Sequence, residues 1–378
     1  EYNNFYMEKY YDYEAPLTTI HSNTEGSATY NALLFVPQHA SNDFYTKNFE
    51  KGLQLYASGV LIMDKCGDLL PDHFAFVKGL VDSQDLSLNI SREMLQHDRQ
   101  LKLIATSLEK KIKSELLKLQ RNDREKYEKL YETFGLNLKA GCHNDFGAHK
   151  ELLQDLIMFY SSTERKLVTF SEYVERMKEG QTNIYYACGR TPEQIDMMPQ
   201  VELFTEKGYE VLYLMHDIDE FALKMMREYK EKAFKSVADS DIDLESAEEK
   251  EESAKRAEAN KSLLDFCTQA LNGKVKEVKL STRLKSHPVC ISSDGPLSLE
   301  MERVLSAVPN SNVPKMGRIL EINANHEIFN TLTAMHLADE AKASSLISIL
   351  YNQALLIEGM PIEDPVAYSN AVCNLLSK

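Results

Sequence analysis

Apolar positions along the chain follow two rhythms. From about residue 93 to 134, Leu116, Leu119, Tyr127, Leu130, Tyr131 and Phe134 recur at three- and four-residue steps. That is the period of an amphipathic helix, with Gly135 and then Gly141 expected to break it. Segments 28–36 (ATYNALLFV) and 53–63 (LQLYASGVLIM) are aromatic and β-branched between turn residues, and predict strands. The tyrosine-dense start, with Tyr2, Tyr6, Tyr10, Tyr11 and Tyr13, reads as a helix packing its aromatic face on the next sheet, ended at the latest by Pro16. GAHKELLQDLIMFYSS predicts a helix with Leu152, Leu153, Leu156, Ile157 and Tyr160 on one broad face. NIYYACG, TPEQIDMM and YEVLYLM then read as strand, short helix and strand. Thr191 is the N-cap and Pro192 the first helical residue, which makes a βαβ unit with a parallel pair.

Between 239 and 260, nine acidic residues face three basic ones, a local charge of −6. The stretch flows into LLDFCTQAL and stops at Gly273, so it reads as a solvated helix at a domain boundary rather than a disordered linker. Beyond it come a strand at KVKEVKLS, a helix at PLSLEMERVLSAV, a strand at RILEIN and closing helices. One closing helix carries Leu346, Ile349, Leu350, Ala354 and Ile357. The other opens on Asp364 and Pro365 and carries Tyr368, Val372, Leu375 and Leu376. Such a terminal hairpin either packs on its own domain or pairs with a copy of itself in a twofold dimer, and the pattern alone favours neither.

The 378 residues suffice for two or three domains. Lys plus Arg is 43 and Asp plus Glu is 58, giving a net charge of −15, which argues against non-specific binding to nucleic acid or anionic membranes. No apolar run is long enough to span a bilayer. Six scattered cysteines with no C-x-x-C pair fit a reducing, cytoplasmic setting. Since the first residue is Glu1 and no signal peptide is visible, the chain is expected to be a piece of a longer protein.

The common nucleotide, hydrolase and zinc-protease motifs are absent from the sequence. Cys142, His143, Asp145 and His149 have the chemistry of metal ligands, but their spacing matches no common zinc module, so no metal is expected. In DSQDLSLNISREMLQHD, Asn89 and Ser91 are capping residues before a helix starting near Arg92. A helix N-terminus with Arg92 and Gln96 makes a donor cluster suited to phosphate, although a solvated Arg paired with Glu93 is the plainer reading. The stripe Leu297, Met301, Val304 and Leu305 reads either as core or as an adaptable binding surface.

SREMLQ (91–96) resembles the middle-domain catalytic loop of the ninety-kilodalton heat-shock chaperones, the HtpG-like proteins. Further similar segments run in family order: GVLIMDKCGDLLP (59–71), FVKGLVDSQDL (76–86), LYETFGLNLKAG (130–141), NIYYACG, VELFTEKGYEVLYLMHDIDE (201–220), STRLKSHP (281–288), RILEINANHEIF (318–329) and NQALLIEG (352–359). Together they cover essentially the whole chain. The resemblance implies an α/β fold. A layered αβα middle domain comes in two units (1–135 and 136–240), followed by an α+β dimerisation domain (241–378) that ends in a helical hairpin.

It also implies an ATP-driven dimeric clamp acting on non-native client proteins. The family's ATPase domain, which holds ATP and Mg, is expected to lie outside this chain, so the chain is not expected to be an enzyme alone. Arg92 would reach the γ-phosphate, supported by Asn89 and Gln96. Glu220 and Phe221 match a client-contacting pair whose second member is usually Trp. Leu297, Met301, Val304 and Leu305 match a client-facing stripe in the dimer cleft, and Leu346, Ile349, Leu350, Ile357, Tyr368, Val372, Leu375 and Leu376 would pair the protomers. Ser87 and Ala324 stand where Pro is usual, and Trp is absent from the chain. With no acidic Glu-Glu-Val-Asp tail and no long charged linker, a bacterial-type member is indicated. The rivals are a self-contained metal-dependent enzyme using Cys142, His143 and His149, and a scaffold that never cycles with ATP.

Overall fold

The computed structural model describes residues 1–86, 98–295, 297–308 and 317–377. It divides into two compact units. One comprises Glu1–Met158 with Thr169–Ser171 and Ala222–Met226, and the other comprises the remainder.

The first unit is built on a five-stranded sheet of β1 (Thr18–Thr24), β2 (Tyr30–Val36), β3 (Leu53–Ala57), β4 (Val60–Cys66) and β5 (Lys78–Ser83), in the order β1-β2-β5-β3-β4. The segment expected as one strand over 53–63 is a hairpin. Ser58 and Gly59 both take positive φ (49° and 82°), and Ala57 pairs with Val60. A two-residue turn of that hand matches strand twist and reverses the chain. Helix α1 (Tyr2–Tyr10) lays the buried Tyr6 against Phe35, ring centroids 5.3 Å apart.

Helix α2 (Arg99–Asn122) starts at Asp98, whose carboxylate accepts from the amides of Gln100 and Leu101 at 2.7 and 3.0 Å. Its stripe of Leu101, Ile104, Leu108, Ile112 and Leu116 is fully buried, each side chain contributing about 1.5–3 kcal/mol. Helix α3 (Arg124–Gly147) follows a break at Asp123 and runs through Gly135 and Gly141. The expected glycine breaks are therefore corrected. A Cβ on Gly141 would lie 2.6 Å from both His73 Cβ and Leu153 Cδ1, so this glycine serves close packing rather than helix termination. The helix expected over 147–162 is also corrected. Only α4 (Lys150–Leu153) is α-helical, and the apolar run continues into β6 (Met158–Ser161). Tyr131 fixes the start of that strand, its hydroxyl donating to Met158 O (2.8 Å) and accepting from Met158 N (3.0 Å).

The second unit holds most of a six-stranded sheet and all of a three-stranded one. The first comprises β6, β7 (Leu167–Thr169), β8 (Asn183–Cys188), β9 (Val211–Leu214), β10 (Glu228–Tyr229) and β11 (Lys232–Ser236), in the order β10-β11-β8-β9-β6-β7. Helices α5 (Phe170–Arg176), α6 (Pro192–Asp196), α7 (Pro199–Glu206) and α8 (Asp219–Met226) connect these strands. The expected βαβ unit is present. Thr191 Oγ1 accepts from Gln194 N at 3.2 Å, and β8 pairs with β9 in parallel.

Helix α9 (Ala247–Ala259) opens on a capping box between Ser246 and Glu249 and buries no residue, as a solvated helix should. Helix α10 (Lys261–Ala270) begins the last core, around β12 (Glu277–Leu280), β13 (Val289–Asp294) and β14 (Gly317–Ile322), in the order β12-β14-β13. Helices α11 (Leu299–Ser306), α12 (Glu327–Ala338), α13 (Glu340–Ile357) and α14 (Pro365–Leu376) complete the chain. Val289, Ile291, Leu320 and Ile322 pack with Leu346, Ile347, Leu350 and Leu355 in that core.

Candidate functional site

Arg92, Asn89 and Gln96, the residues expected to meet a γ-phosphate, lie outside the described residues. The described chain leaves the sheet at β5 and resumes at the Asp98 cap.

The two expected client-contacting segments meet within the second unit. Glu220, at the start of α8, is only 2% exposed. Its Oε1 accepts from Tyr186 Oη at 2.9 Å, and its Oε2 accepts from Ser298 Oγ. Ser298 also caps α11, accepting from Met301 N at 3.0 Å. Burial and the neighbouring Glu220 carboxylate hold the Tyr186 phenol well above its usual range, so it stays a donor. Asp219, also buried, accepts from the amides of Met215 and His216, both at 3.1 Å, and so closes the turn into α8. Arg303 of α11 reaches Asp217 at 2.9 Å.

Phe221, Leu297, Val304 and Leu305 are half-buried, and Met301 is buried. The expectation of an open stripe thus meets a mixed surface in which Glu220 and Met301 are covered. The local reason is the Ser298 hydroxyl, which serves the carboxylate and the helix cap together.

The closing helices also divide their residues. Leu346 and Leu350 of α13 belong to the unit's own core and Ile349 is buried, while Ile357 is half-buried. Helix α14 buries none of its residues, although it is properly formed, with Asp364 accepting from Ala367 N at 2.8 Å. Leu376 is 82% exposed, and Tyr368, Val372 and Leu375 are half-buried. The sequence reading missed Val366 (70% exposed) and Leu356 (51%), which extend the same open apolar surface.

It also missed a buried ionic centre. Arg283 donates from Nε to Glu321 Oε2 (3.1 Å) and from Nη2 to Glu321 Oε1 (2.7 Å). It donates further to the carbonyls of Val237 (2.6 Å) and Asp239 (3.1 Å). Ser281 and Ser292 complete the carboxylate's shell at 2.9 and 2.8 Å. Burial pushes the Glu321 carboxyl up, but Arg283 and Lys279 outweigh it and hold it below the usual range. The sequence signals were the family segments STRLKSHP, which holds Arg283, and RILEINANHEIF, which holds Glu321.

The metal-enzyme rival loses its proposed ligand set. Cys142 is fully buried, and burial pushes its thiol up to about 12. Among the described residues, Cys142 and His143 join no convergent group of ligand atoms.

Comparison with known proteins agrees with the order of motifs along the chain. Residues 1–378 match the family profile described as Hsp90 protein, and the chain belongs to that family. It is 60% identical over 376 residues to the chaperone protein HtpG of Clostridium acetobutylicum. It is 54% identical over 376 residues to the proteins of the same name from Clostridium botulinum and Bacillus subtilis. Each comparison covers all of this chain and 60% of the relative, so the chain spans about 60% of the length of the curated relatives it matches.

Proposed function

We propose that this chain is the client-handling and self-pairing part of an ATP-driven molecular chaperone that works in the cytoplasm as a dimeric clamp on non-native proteins. The observation that carries the reading is α14, a capped helix that buries none of its residues and exposes Val366 and Leu376. A regular helix with an open apolar face is stable where a second surface covers it. Two copies of α14, flanked by Leu356, would form that surface as a helical bundle. Light scattering should give twice the chain mass, and Val366→Asp with Leu376→Asp on α14, which leave the core helix α13 in place, should halve it. A monomeric intact chain would reject the pairing.

ATP and Mg belong in this reading to the ATPase domain of the same protein. Arg92, supported by Asn89 and Gln96, stabilises the charge that develops on the transferring γ-phosphate. In a protein joining this chain to a relative's ATPase domain, Arg92→Ala should lower the hydrolysis rate about a thousandfold if the arginine acts directly. An unchanged rate would remove Arg92 from the chemistry. Residues 1–135 and 136–240 serve as the two middle units and 241–378 as the pairing domain. Phe221 and the α11 stripe offer the aromatic and flexible apolar contacts that suit unfolded segments. The high identity to proteins named as chaperones supports this reading over an autonomous enzyme.

A further inference from the structure

The first unit gathers three side chains that the chaperone reading does not use. His73 sits in the short turn Asp72–Phe74, Glu109 lies on α2 beside the buried stripe, and His149 stands at the entrance to α4. Glu109 Oε1 is 3.0 Å from His73 Nε2 and 2.9 Å from His149 Nδ1. All three atoms fall within 4.8 Å of one another.

Charge attraction holds the two imidazoles against Glu109, but the hydrogen-bond geometry is left incomplete. His73 is only 3% exposed, yet among the described residues its Nε2 has no properly directed hydrogen-bond partner, and neither has Glu109 Oε1. The atoms are close, but the ring nitrogen does not point along a hydrogen-bond line to the carboxylate. A buried imidazole nitrogen and a buried carboxylate oxygen left in that state are costly. A shared electrophile between them would satisfy both. The pocket is also prepared by packing, since the missing side chain of Gly141 makes room for the His73 ring.

We infer that His73 Nε2, Glu109 Oε1 and His149 Nδ1 form a binding site for a divalent transition metal, with zinc as its natural occupant. Two imidazoles and one carboxylate are a known zinc donor set, with bonds of about 2.0–2.2 Å. Tetrahedral bonds of that length hold neighbouring ligand atoms about 3.3 Å apart. To meet that spacing the two contacts to Glu109 open by a few tenths of an ångström, and the two imidazole nitrogens, within 4.8 Å of each other, draw together. Imidazole donors favour zinc and its late first-row neighbours over magnesium or calcium. His149 is about one-third exposed, so the fourth position opens towards solvent. The metal would tie together three segments that are far apart in sequence, bracing the turn at 72–74 and the α4 entrance against α2.

The test uses the untagged chain, stripped with a chelator and titrated with zinc against a chromophoric competitor at neutral pH. The expected result is one equivalent per chain, a higher melting temperature with zinc, and a four-coordinate visible spectrum with cobalt. Loss of an outer-sphere partner commonly weakens metal binding about 10–100-fold, so loss of a direct ligand should exceed that. His149→Ala and Glu109→Gln should therefore each weaken binding by more than about 100-fold and abolish the thermal shift. His149 is the least buried of the three, so its variant decides the matter even if His73→Gln fails to fold. No bound zinc, or wild-type affinity in both variants, would overturn the site and leave a metal-free His–Glu–His cluster.

Discussion

Replacing Arg283 with Met tests the ionic centre of the second unit most directly. The guanidinium is 3% exposed and makes four hydrogen bonds, two to Glu321 and two to the carbonyls of Val237 and Asp239. Methionine fills much of the stem volume but leaves a carboxylate that is 1% exposed, with Lys279 at 3.5 Å as its remaining cation. Removing one partner of such a buried pair costs about 3–5 kcal/mol. Arg283→Met should therefore lower the denaturation midpoint of this unit, followed by circular dichroism in urea, with little change in slope. The double change Arg283→Met with Glu321→Leu removes the stranded charge and should recover a substantial part of the loss. Acid gives an independent sign. The folded carboxyl of Glu321 is held below its unfolded value, so its contribution is present above the unfolded value and disappears as pH falls through the folded one. The gap between wild type and Arg283→Met should accordingly narrow towards low pH. A single variant within about 1 kcal/mol of wild type, or a double variant no better than the single, would refute this account of the centre.

Two further substitutions probe other parts of the second unit. Burial pushes the Glu358 carboxyl up to about 7, with Glu300 adding to the rise while Gln200 and Arg283 oppose it. Its folded value therefore exceeds the unfolded one, and stability falls as pH rises from about 4.5 to 7 and stays lower above that. Glu358→Gln should raise the melting temperature at pH 8, by at most about 3 kcal/mol of stability, and have a much smaller effect at pH 5 and none at pH 4. An equal effect at all three pH values would rule out titration of Glu358 as the cause. Phe221→Ala should weaken binding of a denatured model client, read by fluorescence anisotropy, without altering the fold. Affinity equal to wild type would exclude Phe221 from the client surface.

Much of the fold was legible because single faces repeat. The α2 stripe buries one face only, so its period survives in the sequence, and the β8–α6–β9 unit announces itself through Thr191 and Pro192. The misreadings share a cause. LQLYASGVLIM and LLQDLIMFYSS are continuous apolar runs, which buried strand, hairpin and helix all produce. Only tertiary pairing decides among them, through the turn at Ser58–Gly59 and through Tyr131 bonding to Met158. Gly141 resembles a helix break in sequence because its reason for being glycine, His73, lies 68 residues earlier (141 − 73). The same distance problem hid the polar centres. Arg283 and Glu321 are 38 residues apart, and His73, Glu109 and His149 come from three separate segments. In sequence His149 neighbours Cys142, His143 and Asp145, whereas its partners in space, His73 and Glu109, lie on other elements.

Family position and local physics pull in different directions at Glu220, and the conflict is informative. Matching by motif makes it a contact for unfolded chains, while the structure covers it and holds it with Tyr186 and Ser298. A buried carboxylate with two hydroxyl donors does not leave them without replacement donors. Any client that engages Glu220 must therefore supply hydrogen bonds of its own and draw the Ser298 hydroxyl away. Ser298 is also the cap of α11, the helix carrying Met301, Val304 and Leu305. Engagement at one segment would thus loosen the first turn of the other, and the two expected client contacts would act as one coupled surface rather than as two independent patches.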